Sequence, residues 1–198
     1  MTSAPARLVL ASRSSIRRAL LEGAGGAVEV DVADVDEGAL GAPVADAAER
    51  ARRLAIAKAL AVGARRPADI VIGADQVGVL DDGSFLKQPA GPADHVRMLL
   101  AMAGRAHTFH SAAALVRAHR VLAVVDEQAT VRFRAFDEAT AGAYVATGEG
   151  TWCCGGYESE HRGAQLIERV DGGLHAVLGL PLFGLLGALR ALAPALVL

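Results

Sequence analysis

A short apolar run breaks into a serine-rich turn and then a basic helix: Leu8-Val9-Leu10-Ala11-Ser12-Arg13-Ser14-Ser15-Ile16-Arg17-Arg18. No other stretch constrains the fold of this chain as much. It reads as strand, turn and helix. Such a turn leaves backbone N–H groups without partners at the helix start, with serine hydroxyls and guanidiniums beside them. All three bind phosphate oxygens, so the segment is a candidate polyphosphate cradle. It is neither a GxxxxGK loop nor a GxGxxG fingerprint. The plainer alternative is a helix capped by Ser14 or Ser15 with solvated arginines.

Strand and helix patterns alternate after this unit. Strands are expected at Leu8–Ala11, Val28–Val32 and Ile70–Gly73, with a further extended pair, Gln76–Leu80 and Ser84–Leu86, about the turn Asp81-Asp82-Gly83. Helices are expected at Ser15–Glu22, Asp46–Val62, Pro92–Met102, Asp137–Thr147 and Leu182–Leu192. His107–Arg117 and Val121–Arg134 read as a hairpin turning at Ala118-His119. Ala164–Val170 and Leu174–Leu178 read as strands around Asp171-Gly172-Gly173. The fold class is therefore α/β, a mixed sheet flanked by helices. A lobe boundary is expected near Gly148–Gly156 or near Pro89–Pro92.

Composition narrows the function classes. The chain has 198 residues, 53% of them hydrophobic, and a net charge of −2. That suits a packed core and argues against a general nucleic-acid binder or a membrane-surface protein. The two cysteines, Cys153 and Cys154, are adjacent and form no CxxC, which points to a reducing, cytoplasmic setting. Ala176–Leu189 is apolar but shorter than the roughly 20 residues of a spanning helix. The polar start at Met1–Ala6 gives no sign of a leader.

Several side chains can carry chemistry. Asp75 follows the apolar run Ile70-Val71-Ile72-Gly73-Ala74, and ligands gather beyond such strand ends. A carboxylate there binds a divalent cation or takes a proton from water, although an Asp starting a turn is common. Asp36 and Glu37 follow a second strand in the same way. Lys58 falls on the apolar face of its helix, among Leu54, Ala55, Ala61 and Val62. It either snorkels outward or meets an anion. His107 and His110 cannot share a metal on one strand, because residues three apart face opposite sides.

With these residues in view, the chain resembles the Maf family of nucleoside triphosphate pyrophosphatases. The likeness runs nearly end to end, through Leu10-Ala11-Ser12-x-Ser14-x-x-Arg17-Arg18, Asp36-Glu37, Ala55-x-x-Lys58-Ala59 and Ile72-Gly73-Ala74-Asp75-Gln76. It continues through Ser111, Val131-x-Phe133-Arg134, Tyr144-Val145 and Gly179-Leu180-Pro181-Leu182. The resemblance implies a single Maf-like domain over residues 1–198. Its fold would be Maf/ITPase-like, a twisted sheet with two lobes around a central cleft. It implies hydrolysis of a nucleoside triphosphate to the monophosphate and pyrophosphate, with Mg²⁺ or Mn²⁺, in a cytoplasmic protein that is often a homodimer.

By the same resemblance, Asp75 matches the proton acceptor, and Asp75 with Glu37 the metal ligands. Ser12, Ser14, Arg17, Lys58 and Lys87 match substrate-binding positions. Ile16, Gln76 and Glu160 match specificity positions. Asp75-Gln76 together with Glu158-Ser159-Glu160 is similar to the branch acting on 7-methyl-GTP. A carboxylate accepts from the N1 and N2 donors of guanine, and 7-methylation adds positive charge. The alternatives are a dTTP/UTP pyrophosphatase and a non-catalytic nucleotide-binding regulator of septum formation. The chain departs from the family pattern twice. Gln88 stands where the family has lysine, with Lys87 one place earlier, and on a strand that slip reverses the side chain unless a bulge intervenes. His161 stands in place of a glycine after Glu160, which narrows the base pocket or brings Arg162 near the substrate.

Overall fold

In the computed structural model, which describes residues 6–41 and 44–196, the opening run forms strand β1 (Leu8–Leu10). It lies between two parallel neighbours, β2 (Val28–Val30) and β3 (Ile70–Leu80). Parallel neighbours need crossovers. Helix α1 (Ser15–Gly23) supplies the first, and α2 (Glu37–Gly41) with α3 (Ala47–Gly63) the second. Then follow α4 (Pro92–Met102), β4 (Ala106–Arg117), β5 (Arg120–Phe133), α5 (Glu138–Val145), β6 (Ile167–Gly172), α6 (Leu174–Val177) and α7 (Leu182–Leu192). The six-stranded sheet has the order β2-β1-β3-β4-β5-β6, and β5 pairs antiparallel with β6. It is the mixed α/β sheet expected from the sequence.

Local chemistry accounts for the boundaries. Ser14, Asp46 and Asp137 each turn a side-chain oxygen back on the backbone N–H three residues ahead, capping α1, α3 and α5. Ala118 and His119, both at positive φ, make the tight β4–β5 turn that a twisted hairpin favours.

Four expectations need correction. Ile70–Gly73 and Gln76–Leu80 are one continuous strand, β3. The segment at Leu174–Leu178 is helix, not strand: Ala176 N–H donates to Gly173 O, and Ala176 and Val177 are buried. A short apolar run does not distinguish the two states by periodicity. The strand expected at Ala164–Val170 begins only at Ile167: Arg162–Leu166 form a 3₁₀ turn before β6, where the chain folds back so tightly that a Cβ on Gly163 would stand 2.4 Å from Glu158 O. The chain does divide into two compact units, but not at the glycine-rich or proline-rich loops. The first comprises residues 1–76, 110–127 and 178–198, the second 77–109 and 128–177. The divisions fall inside β3, β4 and β5, whose length lets each strand serve two cores. The reading of the extreme N-terminus as free of a leader falls on residues 1–5, outside the described residues. Among the described residues no helix is long and apolar enough to cross a membrane.

Each unit has its own core. In the first, Leu8, Leu10, Leu21, Ile72, Leu115, Leu180, Leu185 and Leu189 pack together. In the second, Leu99, Met102, Phe109, Val131, Phe133, Tyr144 and Tyr157 do so. His107 is buried in this second core, edge-on to Phe109, Phe133 and Tyr157. Its Nε2 shares a hydrogen bond of 2.8 Å with Tyr157 Oη, while its Nδ1 has no hydrogen-bond partner among the described residues. It is core, not a metal ligand. Burial pushes its pKa down from the ordinary 6.5 to about 4. The unfolded chain therefore takes up a proton in this range and the folded chain does not, so stability falls as pH drops from 6.5 toward 4. The loss is about 3 kcal/mol. Urea unfolding at pH 7 and at pH 4 should show His107→Gln losing less stability than the wild type by roughly this amount.

Candidate active site

The helix α3 runs over β3 at Gly73. A Cβ on Gly73 would lie 2.1 Å from Ala55 O and 2.5 Å from Ala59 N, so only glycine permits this approach. Ala51, Ala55 and Ala59 form the small-residue stripe that lets the helix descend, and all three are buried. Lys58 rides on the same helix, itself only 8% exposed, and meets the strand two residues beyond Gly73. Its Nζ donates to Asp75 Oδ1 at 2.6 Å and lies 2.9 Å from Glu37 Oε1. Asp75 is 6% exposed, whereas Glu37, the first residue of α2, presents an open side chain. Lys58 thus does not snorkel. It binds two carboxylates delivered by separate elements.

The serine turn stands against this group. Ser12 Oγ accepts from Ser14 N–H at 3.2 Å and from Arg17 Nη1 at 3.1 Å. Ser14 Oγ accepts from Arg17 N–H at 3.2 Å. The Arg17 guanidinium reaches two further backbone oxygens, Ala74 O at 3.1 Å and Gly179 O at 2.7 Å. It ties together the turn after β1, the strand end that bears Asp75, and the loop before α7. Gly179 has φ +88, a conformation that favours glycine, and a Cβ there would sit 3.3 Å from Arg17 Nη2. Much of Arg17 is therefore spent on the protein itself. Asp36 Oδ1 accepts from Ala39 N–H at 2.9 Å and caps α2, so of the Asp36-Glu37 pair only Glu37 joins the site.

The electrostatics oppose one another within a small volume. Burial raises the Asp75 pKa above the usual carboxylate range, Lys58 and Arg17 pull it back, and the Glu37 charge adds to the rise. Burial lowers the Arg17 pKa, and Asp75 and Glu37 work against that. A buried carboxylate balanced in this way is suited to accepting a proton. Among the described contacts only one oxygen of Asp75 and one of Glu37 are engaged, both by Lys58. The remaining oxygens are hard donors of the type that Mg²⁺ and Mn²⁺ take, so the residues present fit such a cation.

Ser12, Ser14, Arg17, Glu37, Lys58 and Asp75 are brought together in the first unit, with Ile16 on α1 and Gln76 next to Asp75. Gln76 Oε1 approaches Gly179, since a Cβ on that glycine would lie 3.6 Å away. Lys87 and Glu160 belong to the second unit. Lys87 is exposed and lies outside any named strand, two residues after the single bridge that joins Phe85 to Val79 of β3. Gln88 Nε2 donates to Trp152 O at 2.8 Å, which commits it to a loop contact. Glu160 is exposed, and Arg162 does not pair with it: the Arg162 N–H and guanidinium both turn to Glu149. His161 Nδ1 is 3.0 Å from Glu158 Oε2. The sequence reading passed over Gly73 and Gly179 as site residues. A lone glycine inside the buried run Ile72-Gly73-Ala74 was the available signal, since it marks close backbone approach.

The site thus gathers a buried carboxylate, a buried lysine and a serine-rich helix start on an α/β fold. A family model, Maf-like protein, matches residues 7–192. A nucleoside triphosphate pyrophosphatase of Sphingopyxis alaskensis is 41% identical, covering 94% of this chain and 98% of its own length. A 7-methyl-GTP pyrophosphatase of Mesorhizobium japonicum is 41% identical over 94% of this chain and 96% of its own. A dTTP/UTP pyrophosphatase of Symbiobacterium thermophilum is 40% identical over 89% of each chain. The chain belongs to the Maf family.

The Lys58 contacts generate a prediction. Lys58→Met should lower kcat/KM by roughly 10²–10³-fold. Because Asp75 then loses its principal counter-charge, its pKa rises further, and the variant's deficit in stability should be largest at alkaline pH and shrink on acidification. Thermal melting in a chelator at pH 8 and pH 5.5, beside steady-state kinetics, checks both. Wild-type kinetics in the variant would mean that Lys58 has only a packing role.

Proposed function

We propose that this Maf-family nucleoside triphosphate pyrophosphatase acts on 7-methyl-GTP, releasing 7-methyl-GMP and pyrophosphate. The observation that carries the base assignment is the Glu160 carboxylate. It is exposed, not paired with Arg162, and in described contact only with Ser159 Oγ at 3.3 Å. It remains available to accept from guanine N1–H and N2–H. Glu158 lies close by: Glu158, Glu160 and His161 each place a ligand-type atom within 4.8 Å of the others. That concentration of negative charge suits a base made cationic by methylation. Gln76 and Ile16 are the other proposed specificity positions, each supported by the resemblance and by the Mesorhizobium relative.

The chemistry proposed for the first unit follows from its contacts. Backbone N–H groups at the start of α1 and the hydroxyls of Ser12 and Ser14 receive phosphate oxygens, while Arg17 holds the turn in place. Lys87 is a further proposed substrate-binding cation by the resemblance alone. Asp75 takes a proton from a water as that water's oxygen bonds to the α-phosphorus. The bond from the α-phosphorus to the bridging oxygen breaks, and pyrophosphate departs with the electron pair. Lys58 keeps Asp75 ionised and oriented, and balances charge on the phosphates. A divalent cation held by Glu37 and Asp75, when bound, supplies Lewis-acid polarisation of the phosphoryl oxygens.

Two measurements test the reading. Asp75→Asn should cost about 10²–10⁴-fold in turnover while the protein stays folded, as judged by circular dichroism and melting. Pyrophosphate release across 7-methyl-GTP, GTP, UTP and dTTP should give the highest kcat/KM for 7-methyl-GTP. A wild-type preference for UTP or dTTP would replace the base assignment with the activity named for the Symbiobacterium relative. Absence of pyrophosphate release from every nucleotide would favour the non-catalytic regulator.

A further inference from the structure

The chain has one tryptophan, Trp152, and it is 83% exposed. Tryptophan is rarely left in water, since its ring is among the largest apolar surfaces a side chain offers. Its backbone, by contrast, is fixed from several sides. Gln88 Nε2 donates to Trp152 O at 2.8 Å. Next along the chain, Cys154 Sγ donates to Leu86 O at 3.4 Å and Gly155 N–H to Lys87 O at 3.0 Å. His95 Nε2 meets Gly156 O, and Gly150 N–H donates to Glu158 Oε1 at 3.1 Å. Gly150, Gly155 and Gly156 all have positive φ, and a Cβ on Gly150 or Gly156 would stand within 3 Å of neighbouring atoms. The loop is thus a built turn that presents an indole, not a loose connection.

The loop also lies beside the carboxylates of Glu158 and Glu160. The Cys153 thiol, next to Trp152 in the chain, is pushed up to about 12 by burial first and then by the charges of Glu158 and Glu160. An electron-rich ring presented by a rigid turn whose neighbouring residues meet two carboxylates has the chemistry that recognises a flat cation. A neutral base stacks on such a ring as well, but gains less. The departure at Gln88 acquires a purpose here, because its amide holds the Trp152 carbonyl where a lysine would have brought a second charge.

We infer that Trp152 is a specificity-determining residue, an aromatic platform that stacks on the cationic 7-methylguanine base beside Glu160. This rests on the substrate reading given above and extends it to a residue outside the resemblance.

The single tryptophan makes the test direct. The protein is titrated with 7-methyl-GMP and with GMP in a chelator, and indole emission is followed. Saturable quenching by 7-methyl-GMP, with GMP binding at least tenfold more weakly, is expected. In kinetics, Trp152→Ala should raise KM for 7-methyl-GTP by about tenfold to a hundredfold with kcat little changed, Trp152→Phe should recover most of it, and UTP should be affected less. An exposed side chain leaves folding intact, which melting verifies. Turnover of 7-methyl-GTP with no emission change, and with an unaltered KM in Trp152→Ala, overturns the platform and leaves the substrate reading standing. A fall in kcat alone also overturns it. Turnover of another nucleotide but not of 7-methyl-GTP overturns both.

Discussion

The site depends on how closely α3 descends on β3. At Gly73 the strand has no side chain, and Ala55 and Ala59 face it from the helix. That contact brings Lys58 to within 2.6 Å of Asp75 in a place that water barely reaches. A buried ion pair of this kind adds little net stability, because desolvation of both groups offsets their attraction. Its presence is better explained by chemistry. A carboxylate raised by burial and held down by a lysine is ready to take a proton at neutral pH, whereas a solvated one is a weak base and a fully compensated one weaker still.

Arg17 does for the serine turn what Gly73 does for the helix. The resemblance assigns it to the substrate, yet its donors go largely to Ser12 Oγ, Ala74 O and Gly179 O. Three segments far apart in sequence thereby share one guanidinium, which holds the start of α1 in register with Asp75. In the proposed mechanism, binding and base are coupled through this link, so a lysine at 17 would be a poor replacement: its single point of charge cannot hold several acceptors in one plane.

Sequence alone made some of this legible. The strand–turn–helix opening was readable from its punctuation, as were a serine cap at 14 or 15, the helix starts at Asp46 and Asp137 and the turn at Ala118-His119, because capping and turn chemistry act over three or four residues. The apolar surroundings of Lys58 narrowed it to two outcomes, snorkelling outward or meeting an anion, and the structure shows the second. What stayed hidden depends on distant partners. Leu174–Val177 is helical because it packs into the second core, which a short apolar run cannot announce. The unit divisions fall within strands, where no loop composition marks them. Arg162 turns to Glu149, 13 residues away in sequence, rather than to Glu160, and spacing along the chain does not announce such a partner.

The most direct test of this account is the steady-state kcat/KM for pyrophosphate release by Gly73→Ala, measured where circular dichroism shows the variant folded. A methyl group at this position must push α3 away from β3, because the nearest atoms are backbone. Displacement of Lys58 from Asp75 by about 1 Å should cost on the order of 10²-fold. A folded Gly73→Ala protein with wild-type kcat/KM would contradict the claim that this contact builds the site.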